Sequence, residues 1–79
     1  STMKGGERRM QNERERLVNK VRQLEQEIGL LENNIGFFSK SKNAESLIAE
    51  VRQKIERARE EMQATIEKVH LIDQQQNNG

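Results

Sequence analysis

The chain has 79 residues, of which 34% are charged, with two phenylalanines as its aromatic residues, one histidine and no cysteine or proline. A large globular core is excluded, and with neither disulfide nor metal-ligand cluster available a chain of this size must find further apolar contact by associating with itself or with other helices. A formal net charge of +1 creates no overall field toward nucleic acid or anionic lipid. No apolar run approaches the roughly 18 residues of a membrane span, and no signal-peptide pattern opens the chain. A cytoplasmic location and no membrane partner are therefore expected, within one small domain or a segment of a longer protein.

Residues 1–6 carry Gly5 and Gly6 and no periodicity, and are expected to be a flexible leader or an expression remnant. From residue 7 to residue 38 the apolar residues Leu17, Val21, Leu24, Ile28, Leu31, Ile35 and Phe38 recur at alternating steps of four and three. That rhythm predicts a long helix with a coiled-coil seam, on the order of 45 Å in length at about 1.5 Å per residue. With Leu17 at position d, the branched residues Val21, Ile28 and Ile35 take a, and Leu24, Leu31 and Phe38 take d.

Residues 39–43, Ser-Lys-Ser-Lys-Asn, have small polar side chains that compete with helix for backbone hydrogen bonds, and Asn43 is placed to cap a second helix. A connection this short favours antiparallel neighbours; a continuous parallel coiled coil would require these low-propensity residues to be helical. Helix two is expected over 44–74, with Glu45 in its positive first turn. Its seam is Ile48, Val51, Ile55, Ala58, Met62, Thr65, Val69 and Ile72. On its outer face Glu50 with Lys54, Arg52 with Glu56, and Arg57 with Glu61 are spaced for ion pairing. The polar residues 75–79 form a tail expected to fray.

In an antiparallel pair, facing residues have numbers of constant sum, and two sums one heptad apart fit these stripes. A sum of 86 sets Phe38 on Ile48, Ile35 on Val51, Leu31 on Ile55, Ile28 on Ala58, Leu24 on Met62 and Leu17 on Val69. A sum of 79 sets Leu31 on Ile48, Leu24 on Ile55 and Leu17 on Met62. The first is preferred because its loop is less cramped and it fills the Phe38 layer. Charge adds to the antiparallel case: residues 1–22 hold seven basic against three acidic side chains, and residues 60–79 hold one basic against four acidic. The hairpin makes these two ends neighbours.

Leu30, Phe37, Leu47, Ile66 and Leu71 miss the seam. Leu30 and Phe37 fall at position c and Leu47 beside the loop, so an apolar patch is expected at the hairpin tip, and exposed patches mark interfaces. Leu30, Phe37, Leu47 and Ile66 are the candidate interface residues. Gly29 and Gly36 take successive b positions, either as tolerated surface glycines or as a site of close approach by another helix.

Chemistry has little to stand on. No nucleophile with a base, carboxylate pair in a pocket or metal set is recognisable, so no catalytic, cofactor-binding or metal residue is assigned and no enzyme activity or cofactor is expected. The string Glu67-Lys68-Val69-His70 has the spacing of half a di-iron ligand set, but heptad phase puts Glu67 at f and His70 at b, facing water. Gly5-Gly6 lacks the Lys-Ser/Thr pair of a phosphate loop. Arg8, Arg9, Arg16 and Lys20 offer a surface for nucleic-acid phosphate, though they alternate with Glu and lack aromatic stacking partners.

The string Leu31-Glu32-Asn33-Asn34-Ile35-Gly36-Phe37-Phe38-Ser39-Lys40-Ser41-Lys42-Asn43, with Asn12-Glu13-Arg14-Glu15-Arg16-Leu17 before it and Ile66 to Ile72 after it, resembles the C-terminal hairpin of long helical bacterial proteins in domain-of-unknown-function family 349. The resemblance implies a C-terminal segment of a larger cytoplasmic protein whose helical repeats lie upstream, and it supplies no activity or catalytic residue. The expectation is an all-α, antiparallel coiled-coil hairpin of two long helices, self-associating into a four-helix arrangement. It would act as a non-catalytic structural or protein-protein interaction module whose partners are a second copy or upstream helices of the same protein. The alternative is a nucleic-acid-binding accessory segment using the basic half of helix one.

Overall fold

The structure, a computed structural model, describes the backbone of residues 2–77 and the side chains of Arg9 and residues 11–75. Ser1 of the expected leader and Asn78 and Gly79 of the expected tail lie outside the described residues. Two helices, α1 (Thr2–Phe38) and α2 (Ala44–Asn77), fold back on each other as an antiparallel hairpin measuring 63 × 15 × 13 Å. The chain is all-α and bends at residues 39–43, so the continuous rod is ruled out.

Two boundaries differ from expectation. Helix α1 begins at Thr2 rather than residue 7, running through Gly5 and Gly6. Glycine weakens a helix by about 1 kcal/mol relative to Ala without blocking its hydrogen bonds, and Lys4, Glu7, Arg8 and Arg9 around the pair are good helix formers; lack of apolar periodicity is not lack of helix. Helix α2 likewise continues beyond residue 74 to Asn77, because glutamine is nearly as good a helix former as lysine.

The turn is made as its residue types suggest. The Ser39 amide still donates to the Ile35 carbonyl (3.1 Å), its hydroxyl donates to the Gly36 carbonyl (2.8 Å), and Ser41 donates to the Phe38 carbonyl through both its amide (3.0 Å) and its hydroxyl (3.1 Å). Two serines thus satisfy carbonyls that the end of α1 leaves without partners. Asn43 starts α2 by its backbone, its carbonyl accepting from the Leu47 amide (3.2 Å). Its side chain makes no hydrogen bond to the first turn, unlike the expected cap.

Every residue assigned to the seam is turned inward. Leu17, Leu24, Ile28, Val51, Ile55, Ala58 and Val69 are buried, and Val21, Leu31, Ile35, Phe38, Ile48, Met62 and Ile72 are half-buried. Leu24, Ile28, Val51, Ile55 and Ala58 form one cluster, against which Leu31, Ile35, Phe38 and Met62 pack. Thr65, the polar member, is 4% exposed and sends its hydroxyl back to the Glu61 carbonyl at 2.7 Å, so it enters the seam without an unsatisfied donor.

Ion pairs across the hairpin decide the register. Arg14 meets Asp73 at 2.6 Å, Lys20 meets Glu61 at 2.8 Å and Arg59 meets Glu32 at 3.0 Å. At about 1.5 Å rise per residue, a facing sum of 79 would offset Arg59 from Glu32 by about 18 Å along the axis, beyond the reach of both side chains. A sum of 86 offsets these three pairs by about 8 Å or less, within reach. The same sum sets buried Leu17 on buried Val69 and puts Ile35 and Phe38 inside the packed cluster.

Candidate functional site

A coiled-coil hairpin has an inner seam and two outward faces, and here the outward faces differ in kind. Along α2 the outward positions carry Glu50, Glu56, Arg57, Glu60 and Glu67, all exposed, as a solvated helix should. The corresponding positions of α1 from residue 23 to residue 37 are Gln23, Gln26, Gly29, Leu30, Asn33, Gly36 and Phe37, with no charge among them. Within this stretch Leu30 is 66% and Phe37 80% exposed, and Phe37 lines a shallow recess with Asn33, Gly36 and Lys40.

The glycines of this face have no internal reason to be glycine. Neither is in a positive-φ conformation, and a Cβ built at Gly29 or Gly36 meets nothing within 4 Å. Each forgoes about 1 kcal/mol of helix stability relative to Ala while leaving a flat strip of backbone beside an exposed large side chain. The other off-seam residues divide. Leu47 and Ile66 are half-buried, whereas Leu71, near the far end, is 59% exposed. The candidate surface is therefore centred on Leu30 and Phe37, with less of Leu47 and Ile66 open to a partner than the sequence suggested. Asn33 and Lys40 were missed because they are polar; absence of charge along positions b, c and f from residue 23 to residue 37 marks Asn33, whereas Lys40 borders the recess as a cation.

Four ion pairs engage part of the charge elsewhere. Arg14 grips Asp73 with two hydrogen bonds (2.6 and 3.3 Å); this bonding, with the Arg14 charge and a smaller contribution from His70, holds the Asp73 carboxyl below its usual value, and the same bonding with the Asp73 charge raises that of Arg14. Arg16 lies back along α1 onto Glu13, lowering the Glu13 carboxyl chiefly by its hydrogen bonding. With Lys20 on Glu61, three cations of the basic half of α1 have carboxylate partners. The predicted pairs on α2 are not formed: Glu50–Lys54, Arg52–Glu56 and Arg57–Glu61 are not in ion-pair contact, since Glu61 reaches across to Lys20 and the exposed others are equally well solvated by water.

Glu67 and His70 are both exposed. Among the described residues no three His, Cys, Asp or Glu side chains gather where they could hold a metal ion, and no helix is long and apolar enough to cross a membrane. No family model matches this chain, and comparison with curated proteins and with solved structures likewise finds no match.

Proposed function

We propose that this chain is a non-catalytic structural module that works by protein-protein interaction, a hairpin presenting the uncharged outward positions of α1 between residues 23 and 37 to another protein surface. One observation carries the reading: Leu30 and Phe37 stand 66% and 80% exposed on a face whose outward positions from residue 23 to residue 37 hold no charge, and such exposed apolar surface is a mark of an interface. On the resemblance to domain-of-unknown-function family 349, the module is part of a larger bacterial cytoplasmic protein, and its partners are drawn from protein surfaces. The ion pairing of Arg14, Arg16 and Lys20 speaks against phosphate as their principal partner.

In-cell photocrosslinking tests it, with a photoreactive amino acid placed at Phe37 and, as control, at exposed Glu60 on α2. Protein adducts from position 37 and none from position 60 are expected. Equal labelling from both positions, or adducts to RNA alone, would overturn the proposal.

A further inference from the structure

The interaction surface has a geometry that suits a second copy of this chain. We infer that two hairpins associate through the outward faces of their α1 helices, antiparallel, about a two-fold axis passing beside Asn33. The inference rests on the interaction-module reading and names its partner.

A two-fold contact must be complementary to itself, and the face has the required pattern. With the axis at Asn33, residues whose numbers sum to about 66 come level across the contact. The large side chains sit along one edge of the face at position c, and the glycines along the other at b. An axis of this kind keeps each edge on its own side, so Leu30 meets the partner copy's Phe37 along one edge and Gly29 approaches the partner copy's Gly36 along the other. The large edge buries the two most exposed large apolar side chains of the described residues. The glycine edge, where a Cβ would meet nothing in the single chain, lets the backbones draw near, which accounts for glycine where the hairpin itself has no use for it.

Charge selects the orientation. Lys40 comes level with the other copy's Gln26, one residue from its Glu25 and Glu27, so opposite charges flank the contact. A parallel pair would set Lys40 on Lys40, like charge on like. The acid nearest the axis, Glu32, is held by Arg59 of its own chain at 3.0 Å. The outward face of α2, with its alternating acids, would meet like charge if it paired with itself.

Sedimentation equilibrium of the full 79-residue chain over micromolar to millimolar concentrations tests this. A reversible monomer–dimer equilibrium is expected. Phe37→Glu, at an exposed position, should leave the chain monomeric with its helicity intact. Lys40→Glu should weaken the dimer, and adding Glu27→Lys should restore part of the loss. In the dimer, labels attached through Gln26→Cys should lie roughly 21 Å apart along the axis, fourteen residues at about 1.5 Å each. A chain that stays monomeric throughout, a dimer indifferent to Phe37→Glu, or labels closer than about 10 Å would overturn the inference. Crosslinks in cells from position 37 to a different protein would overturn the second copy while leaving the interaction-module reading in place.

Discussion

Leu24→Ala and Leu30→Ala are the same chemical change six residues apart on one helix, so any difference between them measures tertiary packing. Leu24 is 7% exposed within the central cluster, whereas Leu30 is 66% exposed. Removing three carbons is worth about 2.4 kcal/mol at roughly 0.8 kcal/mol per buried methylene; nearly all of that applies at Leu24 and about a third at Leu30. The void at Leu24 adds only part of the usual cavity cost, because it opens onto the flank of a two-helix groove where the flexible Met62 can follow. Alanine returns a few tenths of a kcal/mol in helix propensity at both sites. Net losses of about 2–3 kcal/mol for Leu24→Ala and about 0.5 kcal/mol or less for Leu30→Ala follow. Urea denaturation monitored by far-ultraviolet circular dichroism, at concentrations where the chain is monomeric, reads both. Equal shifts would mean that the seam is not where the stability lies.

Four further outcomes are expected. Leu24→Asp should abolish helicity of the hairpin, since it places an unpaired charge in the seam, as a single far-ultraviolet spectrum would show. His70→Ala, at an exposed site, should change unfolding free energy by no more than about 0.5 kcal/mol and no binding property; loss of a bound metal in elemental analysis would contradict this. Because Asp73 and Glu13 have folded-state values below their ordinary ones, their ion pairs stabilise the hairpin at neutral pH, and that contribution is lost as pH falls through the depressed folded values. The thermal midpoint should therefore drop on acidification below about pH 4, and Asp73→Asn should flatten that dependence. Titration of single-stranded RNA at low salt should show no binding; tight binding that weakens steeply with salt would restore the basic half of α1 as a nucleic-acid surface.

Periodicity made the seam legible because burial against one neighbour leaves a repeat of three and four, and all the seam residues from Leu17 to Ile72 are turned inward. The hairpin turn was legible for a different reason: serines at 39 and 41 supply donors to helix-end carbonyls. Helix ends were misjudged because Gly5-Gly6 and the glutamine run at 74–76 break the apolar periodicity without forbidding the backbone hydrogen bonds. Surface pairing was misjudged on α2 because four-residue spacing permits an ion pair without requiring one, and Glu61 had a cross-helix alternative in Lys20. Leu30 and Phe37 stood out as apolar residues off the seam, but the extent of their surface could be seen only as a contrast between two outward faces, one charged and one not. The end-to-end charge asymmetry foretold neighbours, and Arg14–Asp73 and Lys20–Glu61 are those neighbours.

The distance between Gln23 and Gln63, both exposed and level with each other when facing residues sum to 86, tests the folding back of the chain most directly. Labels introduced through Gln23→Cys and Gln63→Cys, with an excess of unlabelled chain to suppress contacts between copies, should give a single narrow distribution near roughly 20–30 Å, set by an interaxial spacing of about 10 Å plus two outward side chains. A distance near 60 Å, forty residues of straight helix at about 1.5 Å each, would show that the two stripes do not meet within one chain and would contradict the account.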